Sequence, residues 1–130
     1  MNYLALLKNM GLFCLVATGM FVPAVLCAFI YREDQMLPAF FFSMMLTFSL
    51  GGLLYLVGKK SNDRLFHRET LALVGLGWLI GAVFGGLPYY FSGHLTFEDA
   101  CFESMSGFTT TGATILVAIE GLPRSLLFWR

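Results

Sequence analysis

Apolar residues along the chain run in three long blocks, Met10–Tyr31, Met36–Gly58 and Leu71–Phe91, each free of Lys, Arg, Asp and Glu. A helix needs about 20 apolar residues to cross the hydrocarbon of a bilayer, so each block predicts one membrane-spanning helix. The first polar break, "REDQ" (Arg32–Gln35), has room only for a tight helical hairpin. The second, "KKSNDRLFHRE" (Lys59–Glu69), carries Lys59, Lys60, Arg64 and Arg68 against Asp63 and Glu69. Basic loops stay on the cytoplasmic side, which predicts a cytoplasmic 59–69 loop and a cytoplasmic N-terminus with Lys8. "REDQ" and everything after Phe91 are then expected outside. Pro23 predicts a mild kink in the first span, and Pro88 a stop or bend near the outer end of the third.

The pattern changes after Phe91. "SGHLT" reads as a turn, and Thr96 as a helix N-cap with Asp99 three residues on, a capping box with aspartate in place of glutamate. Glu98 and Asp99 complement the positive end of the helix dipole. Apolar positions Phe97, Cys101, Met105 and Phe108 then recur at helical spacing, with Gly107 as the expected stop. A helix over 97–107 is about 16 Å long, half a bilayer, and so is either interfacial or re-entrant. The fold class this predicts is all-α integral membrane: three transmembrane helices, then a half-membrane helix and an extended loop.

Composition sharpens that picture. Of 130 residues, 58% are hydrophobic and 12% charged, with a net charge of zero. A soluble domain carries roughly a quarter of its residues charged, so lipid is the expected solvent. The bases lie scattered or in one short loop, which excludes the basic stripe that nucleic-acid binding requires. Cys14, Cys27 and Cys101 sit inside apolar stretches with no CxxC pairing and read as small hydrophobes. The first apolar block is longer than a signal-peptide core, no A-x-A site precedes the charges, and Leu26 before Cys27 does not fit a lipoprotein site. It reads as a retained span. His67 and His94 fall in loops on opposite sides of the membrane, so no Ser/His/Asp or Cys/His set assembles, and enzyme activity has no support.

Two patterns bear on function. Gly77, Gly81 and Gly85 recur every four residues in "GWLIGAVFG" and form a helix-packing face on which another backbone can approach closely. The other is "TTTGAT", Thr109 to Thr114, at the end of the half-membrane helix. Non-helical backbone at membrane depth is tolerated only where it is buried in protein or lines a wet cavity. Threonines favour extended backbone, and Gly112 can adopt the φ values that turn carbonyls toward one axis. Such carbonyls can replace the hydration shell of an alkali cation. By itself the hexapeptide fits a plain surface loop equally well; the order of span, turn, capped short helix and Thr/Gly segment favours a pore loop.

The stretch "FESMSGFTTTGATIL" resembles the first pore loop of the Trk/Ktr/HKT superfamily of potassium transporters, in its TrkH/TrkG branch. "IYRED" (Ile30–Asp34), "HRETLALVGLGWLIGAVFGGLPYYFSG" (His67–Gly93) and "GLPRSLLFWR" (Gly121–Arg130) match in the same order. The resemblance implies that residues 1–58 are an extra N-terminal helix pair. It implies that 59–69 is a cytoplasmic loop and that 70–130 begin a membrane–pore–membrane repeat. That repeat has its outer helix at 71–91, pore helix at 97–107 and filter at 109–114. Its filter residues would be Thr109, Thr110, Thr111, Gly112, Ala113 and Thr114, with Gly112 favouring potassium over sodium. The resemblance also implies symport-type potassium uptake in a bacterial inner membrane, no cofactor, a homodimer and a cytosolic nucleotide-binding regulatory subunit. The family has four such repeats in one chain, so this sequence is expected to be the first quarter of a transporter, lacking the descending helix of its first repeat.

Glu103 falls mid-helix in the pore segment, where a lone carboxylate is costly in dry surroundings. Either it bonds backbone near the filter and supports the pore helix, or it faces a watery vestibule. Glu120 and Arg124 are expected at the outer surface. A second function class also stands: a small non-conducting membrane protein that binds a partner through the Gly77/Gly81/Gly85 face.

Overall fold

A computed structural model describes residues 3–61 and 66–130, all of whose regular elements are helical. The helices are α1 (Tyr3–Ile30), α2 (Leu37–Gly58), α3 (His67–Phe91), α4 (Phe97–Phe108) and the short α5 (Arg124–Trp129). A 3-10 turn at Ile119–Gly121 precedes α5. Of the expected basic loop, positions 62–65, Arg64 among them, lie outside the described residues.

Three helices are long and apolar enough to cross a membrane: α1, α2 and α3, with 28, 22 and 25 residues. Both α1 and α3 begin earlier than the apolar blocks. Asn9 satisfies its side chain by donating to the carbonyl of Ala5 at 2.8 Å, so helix continues through the polar residues at 8–9. At the start of α3, the Glu69 carboxylate accepts the backbone N–H of Phe66 at 2.9 Å, which caps an end otherwise rich in unpaired donors. Neither proline ends its helix. Pro23 lies inside α1, and α3 runs through Pro88 to Phe91.

Helices α1 and α2 form the most extensive pair. Their crossing is made by glycines outside the GxxxG pattern of α3. A Cβ on Gly11 would overlap the backbone of Gly51 and Tyr55, and one on Gly58 the backbone of Lys8 and Leu4. Without a hydrophobic force between helices in lipid, such close approach maximises van der Waals contact. A core cluster at the Glu33 end joins Phe21, Ala24, Val25 and Ala28 of α1 with Met36, Phe40, Tyr89, Ala100 and Leu126. That cluster is where α4 and α5 attach. Outward faces carry exposed Leu26, Phe29, Phe41, Met45, Phe48, Leu53 and Leu79, a surface suited to lipid chains.

The glycine stripe of α3 is used unevenly. A Cβ on Gly85 would overlap Ser104 and Phe108 of α4, and one on Gly81 would meet the Phe108 ring at 3.8 Å. A Cβ on Gly77 would meet nothing within 4 Å. Gly86, outside the four-residue repeat, lies against the Ala100 backbone. The close approach therefore runs along Gly85 and Gly86, and α4 of the same chain occupies it.

Candidate functional site

The site is built around α4 and the backbone that follows it. Thr96 caps α4 through its hydroxyl, which accepts the Asp99 N–H at 3.3 Å and donates to the Asp99 carboxylate at 2.8 Å. The box closes through the threonine hydroxyl because the shorter aspartate does not reach the backbone N–H that glutamate would. The helix has 12 residues, one more than its spacing predicts, and ends at Phe108.

The next three backbone N–H groups fold back onto α4. Thr109 donates to Met105, Thr110 to Gly107 and Thr111 to Ser106, at 2.9, 3.1 and 3.1 Å. These bonds satisfy carbonyls that a helix C-terminus leaves orphaned. They also correct the expected extended run: Thr109 and Thr110 form a turn, and open backbone begins at Thr111. Thr110 and Gly112 both lie in the left-handed region, with φ of 55° and 73°. Glycine adopts that region freely, whereas a β-branched threonine there is held against its preference.

Side chains of α4 then pin the segment. Ser106 Oγ donates to the Ala113 carbonyl at 2.6 Å. Thr114 Oγ1 donates to Glu103 at 2.9 Å, and the Ile115 N–H reaches the same carboxylate at 3.2 Å. The Thr109 carbonyl accepts the Thr110 hydroxyl at 2.7 Å. Among the described residues, the carbonyls of Thr110, Thr111 and Gly112 have no hydrogen-bond donor. So the unpaired carbonyls form a shorter set than the six-residue motif, flanked by carbonyls already taken.

Glu103 is 2% exposed and ion-pairs with Arg130, whose Nε lies 2.7 Å from Oε1. A buried carboxylate with one cation and two further donors is fully engaged, the only condition under which its burial is tolerable. Arg130 and Ser106 were not singled out by reasoning on the sequence, and Thr114 was expected as a filter residue rather than as a partner of Glu103. A mid-helix glutamate signals a need for partners or water, but spacing alone does not say which. Glu103, Ser106, Gly107, Thr110, Gly112, Ala113 and Arg130 line a cavity of about 200 Å³. His94 is exposed, 3.0 Å from Ser92 Oγ, and takes no part. The cysteines are free thiols, and the described residues hold no His/Cys/Asp/Glu group arranged for a metal.

Comparison with known proteins adds a family to this geometry. Residues 36–130 match the TrkH family, described as cation transport protein. The Trk system potassium uptake protein TrkH of Escherichia coli strain K12 is 37% identical over 132 residues, covering all of this chain and 27% of that protein. TrkG of the same strain is 33% identical over 111 residues, covering 84% of this chain and 23% of its own length. The crystal structure of the potassium transporter TrkH from Vibrio parahaemolyticus superposes with a TM-score of 0.90 at 26% identity, over 99% of this chain and 28% of that one. The chain thus spans about a quarter of the length of the relatives it matches.

Proposed function

Because the chain belongs to the TrkH family of cation transport proteins, we propose that it forms one wall of a potassium path across a bacterial cytoplasmic membrane. The observation that carries this reading is the trio of unpaired carbonyls at Thr110, Thr111 and Gly112, directly beyond the end of α4. Carbonyl oxygens are the ligands that replace the hydration shell of an alkali cation. The C-terminus of α4 adds a negative dipole end beside them.

In this reading α1 and α2 are an N-terminal helix pair, α3 is the outer helix of a membrane–pore–membrane repeat, and α4 is its re-entrant pore helix. The basic 59–69 loop lies in the cytoplasm, and the Glu33 end of the bundle faces outside. The filter residues are Thr109 to Thr114, with the ion-facing carbonyls at Thr110–Gly112. Glu103 supports the filter from behind, its charge balanced by Arg130 so that it does not trap the ion. Further repeats complete the ring, and uptake is of the symport type. A homodimer and a cytosolic nucleotide-binding regulatory subunit belong to the same proposal.

The test is potassium uptake by the protein in an uptake-deficient host, comparing the natural sequence with Gly112→Ser. A hydroxymethyl group at a left-handed glycine disturbs both backbone and ion path, so potassium uptake falls and sodium discrimination weakens. Unchanged uptake and selectivity would remove Gly112 from the filter.

A further inference from the structure

Residue Glu33, in the turn between α1 and α2, is 91 residues from Arg124 in sequence yet accepts its backbone N–H at 2.6 Å. The same carboxylate accepts the N–H of Ser125 at 3.0 Å and its hydroxyl at 2.5 Å. Two further contacts fasten the same short helix to α1 and the turn that follows it. The Arg124 guanidinium sits 4.6 Å over the Tyr31 ring, and Trp129 stacks on Phe21 with ring centroids 4.4 Å apart. Leu126 is buried in the core cluster between them. The far end of α5 reaches the other half of the fold. Trp129 Nε1 donates to the Gly85 carbonyl of α3 at 2.8 Å, and Arg130 ion-pairs with Glu103 of α4. Glu103 in turn holds Thr114 and Ile115.

These contacts form one continuous line from the α1–α2 turn to the backbone after the unpaired carbonyls. We propose that Glu33 is a positioning residue for the ion path: it anchors the start of α5, which sets Arg130, Glu103 and thereby the Thr114–Ile115 backbone. The proposal rests on the reading of residues 109–114 as filter. It gives the N-terminal helix pair a task beyond filling membrane, because the pair becomes the abutment against which the pore segment is set. A carboxylate suits the role, since it accepts three donors at once from one direction and its bonds are charge-assisted.

The experiment uses the full protein in lipid nanodiscs and compares Glu33→Gln, Glu33→Asp, Ser125→Ala and the neighbouring control Asp34→Asn. Backbone hydrogen exchange is read at 124–130 and at 114–116. Glu33→Gln is expected to speed exchange about tenfold at both stretches, Ser125→Ala less at both, while Glu33→Asp and Asp34→Asn stay near the natural protein. At equal membrane abundance, Glu33→Gln also lowers discrimination of potassium over sodium roughly threefold. Faster exchange confined to 124–130, or none at either stretch, would overturn the proposal. Failure of the natural protein to transport potassium would remove the filter reading, while exchange at 114–116 would still decide whether Glu33 sets that backbone. If Glu33→Gln does not fold, Ser125→Ala carries the same comparison with one hydrogen bond removed.

Discussion

Between α1 and α2 the crossing is bare backbone: Gly11 lies against Gly51 and Tyr55, and Gly58 against Lys8. The hydroxyls in that pair bond within their own helices, Thr18 to Cys14, Ser43 to Ala39 and Thr47 to Ser43, each four residues back. In the half of the fold that includes α4, side chains bond to partners far away in sequence. Ser104 reaches Gly81, Thr114 reaches Glu103 and Trp129 reaches Gly85, at separations of 23, 11 and 44 residues. The first region is held by shape, with polarity turned inward on each helix. The second is held by polar bonds, which fix a particular backbone conformation where shape alone would allow several. That is the requirement of a segment that presents carbonyls in one geometry.

The two regions should therefore break differently. Glu103→Gln keeps the shape but leaves Arg130 without its anion. Losing one member of a buried pair costs about 3 kcal/mol, less here to the extent that Arg130 is 27% exposed. Thermal unfolding in detergent measures it, and adding Arg130→Gln should recover part of the loss. A purely apolar site would show no such recovery. Gly11→Leu strikes the other region, where backbone on the facing helix has nowhere to move. It should lose about 2 kcal/mol through overpacking. Gly19→Leu, on the same helix but facing open space, should lose no stability. Equal effects at Gly11 and Gly19 would deny that α1 and α2 meet backbone to backbone.

The first region was the more legible in sequence, but not for the reason that makes it stable. Uninterrupted apolar blocks mark the spans to within a few residues, because in lipid both hydropathy and backbone satisfaction demand a helix. They say nothing of facing. Gly11, Gly51 and Gly58 follow no repeat, whereas the regular Gly77/Gly81/Gly85 stripe has its first member against open space. In the second region the Thr96 cap and the length of α4 followed from local rules. The network did not, because Glu33–Ser125 and Glu103–Arg130 join residues whose neighbourhood is decided by the tertiary fold. Residue type showed that Glu103 needed either partners or water. Only the packing of α5 identified one.

A subtler contrast comes from glycines that share empty surroundings. Neither Gly112 nor Gly19 has an atom within 4 Å of a Cβ built on it, so sterics predict no difference between them. Backbone conformation does. Gly112 has φ of 73°, and forcing alanine into that region costs about 1 kcal/mol or a little more. Gly19 lies inside α1, where alanine is favoured over glycine by about 1 kcal/mol. Gly112→Ala should therefore lower the unfolding temperature and Gly19→Ala raise it, measured side by side in the same detergent. The same sign for both would mean that Gly112 is not held in the left-handed region.

The smallest effect expected is a dependence on acid at the joint between the two regions. Burial alone pushes the Glu33 carboxyl up, but the hydroxyl and N–H of Ser125, the N–H of Arg124 and the Arg124 charge outweigh it and hold the group below its ordinary value of 4.5. Arg124 from the start of α5, Cys27 from α1 and the flanking Arg32 and Asp34 are the charged or titratable groups around it. A carboxyl whose folded value is depressed binds protons more readily when unfolded. Its stabilisation is thus fully present above about pH 4.5 and fades as pH falls through the lower, folded value. Hydrogen exchange at Arg124 and Ser125 should accordingly accelerate below that pH in the natural protein. In Glu33→Gln the amides should exchange fast at every pH, once intrinsic rates are divided out. The joint matters because it ties the region held by shape to the region held by polar bonds through a charge. Acid should loosen that tie while the glycine crossing of α1 and α2, two helices without an Asp, Glu or His, stays closed.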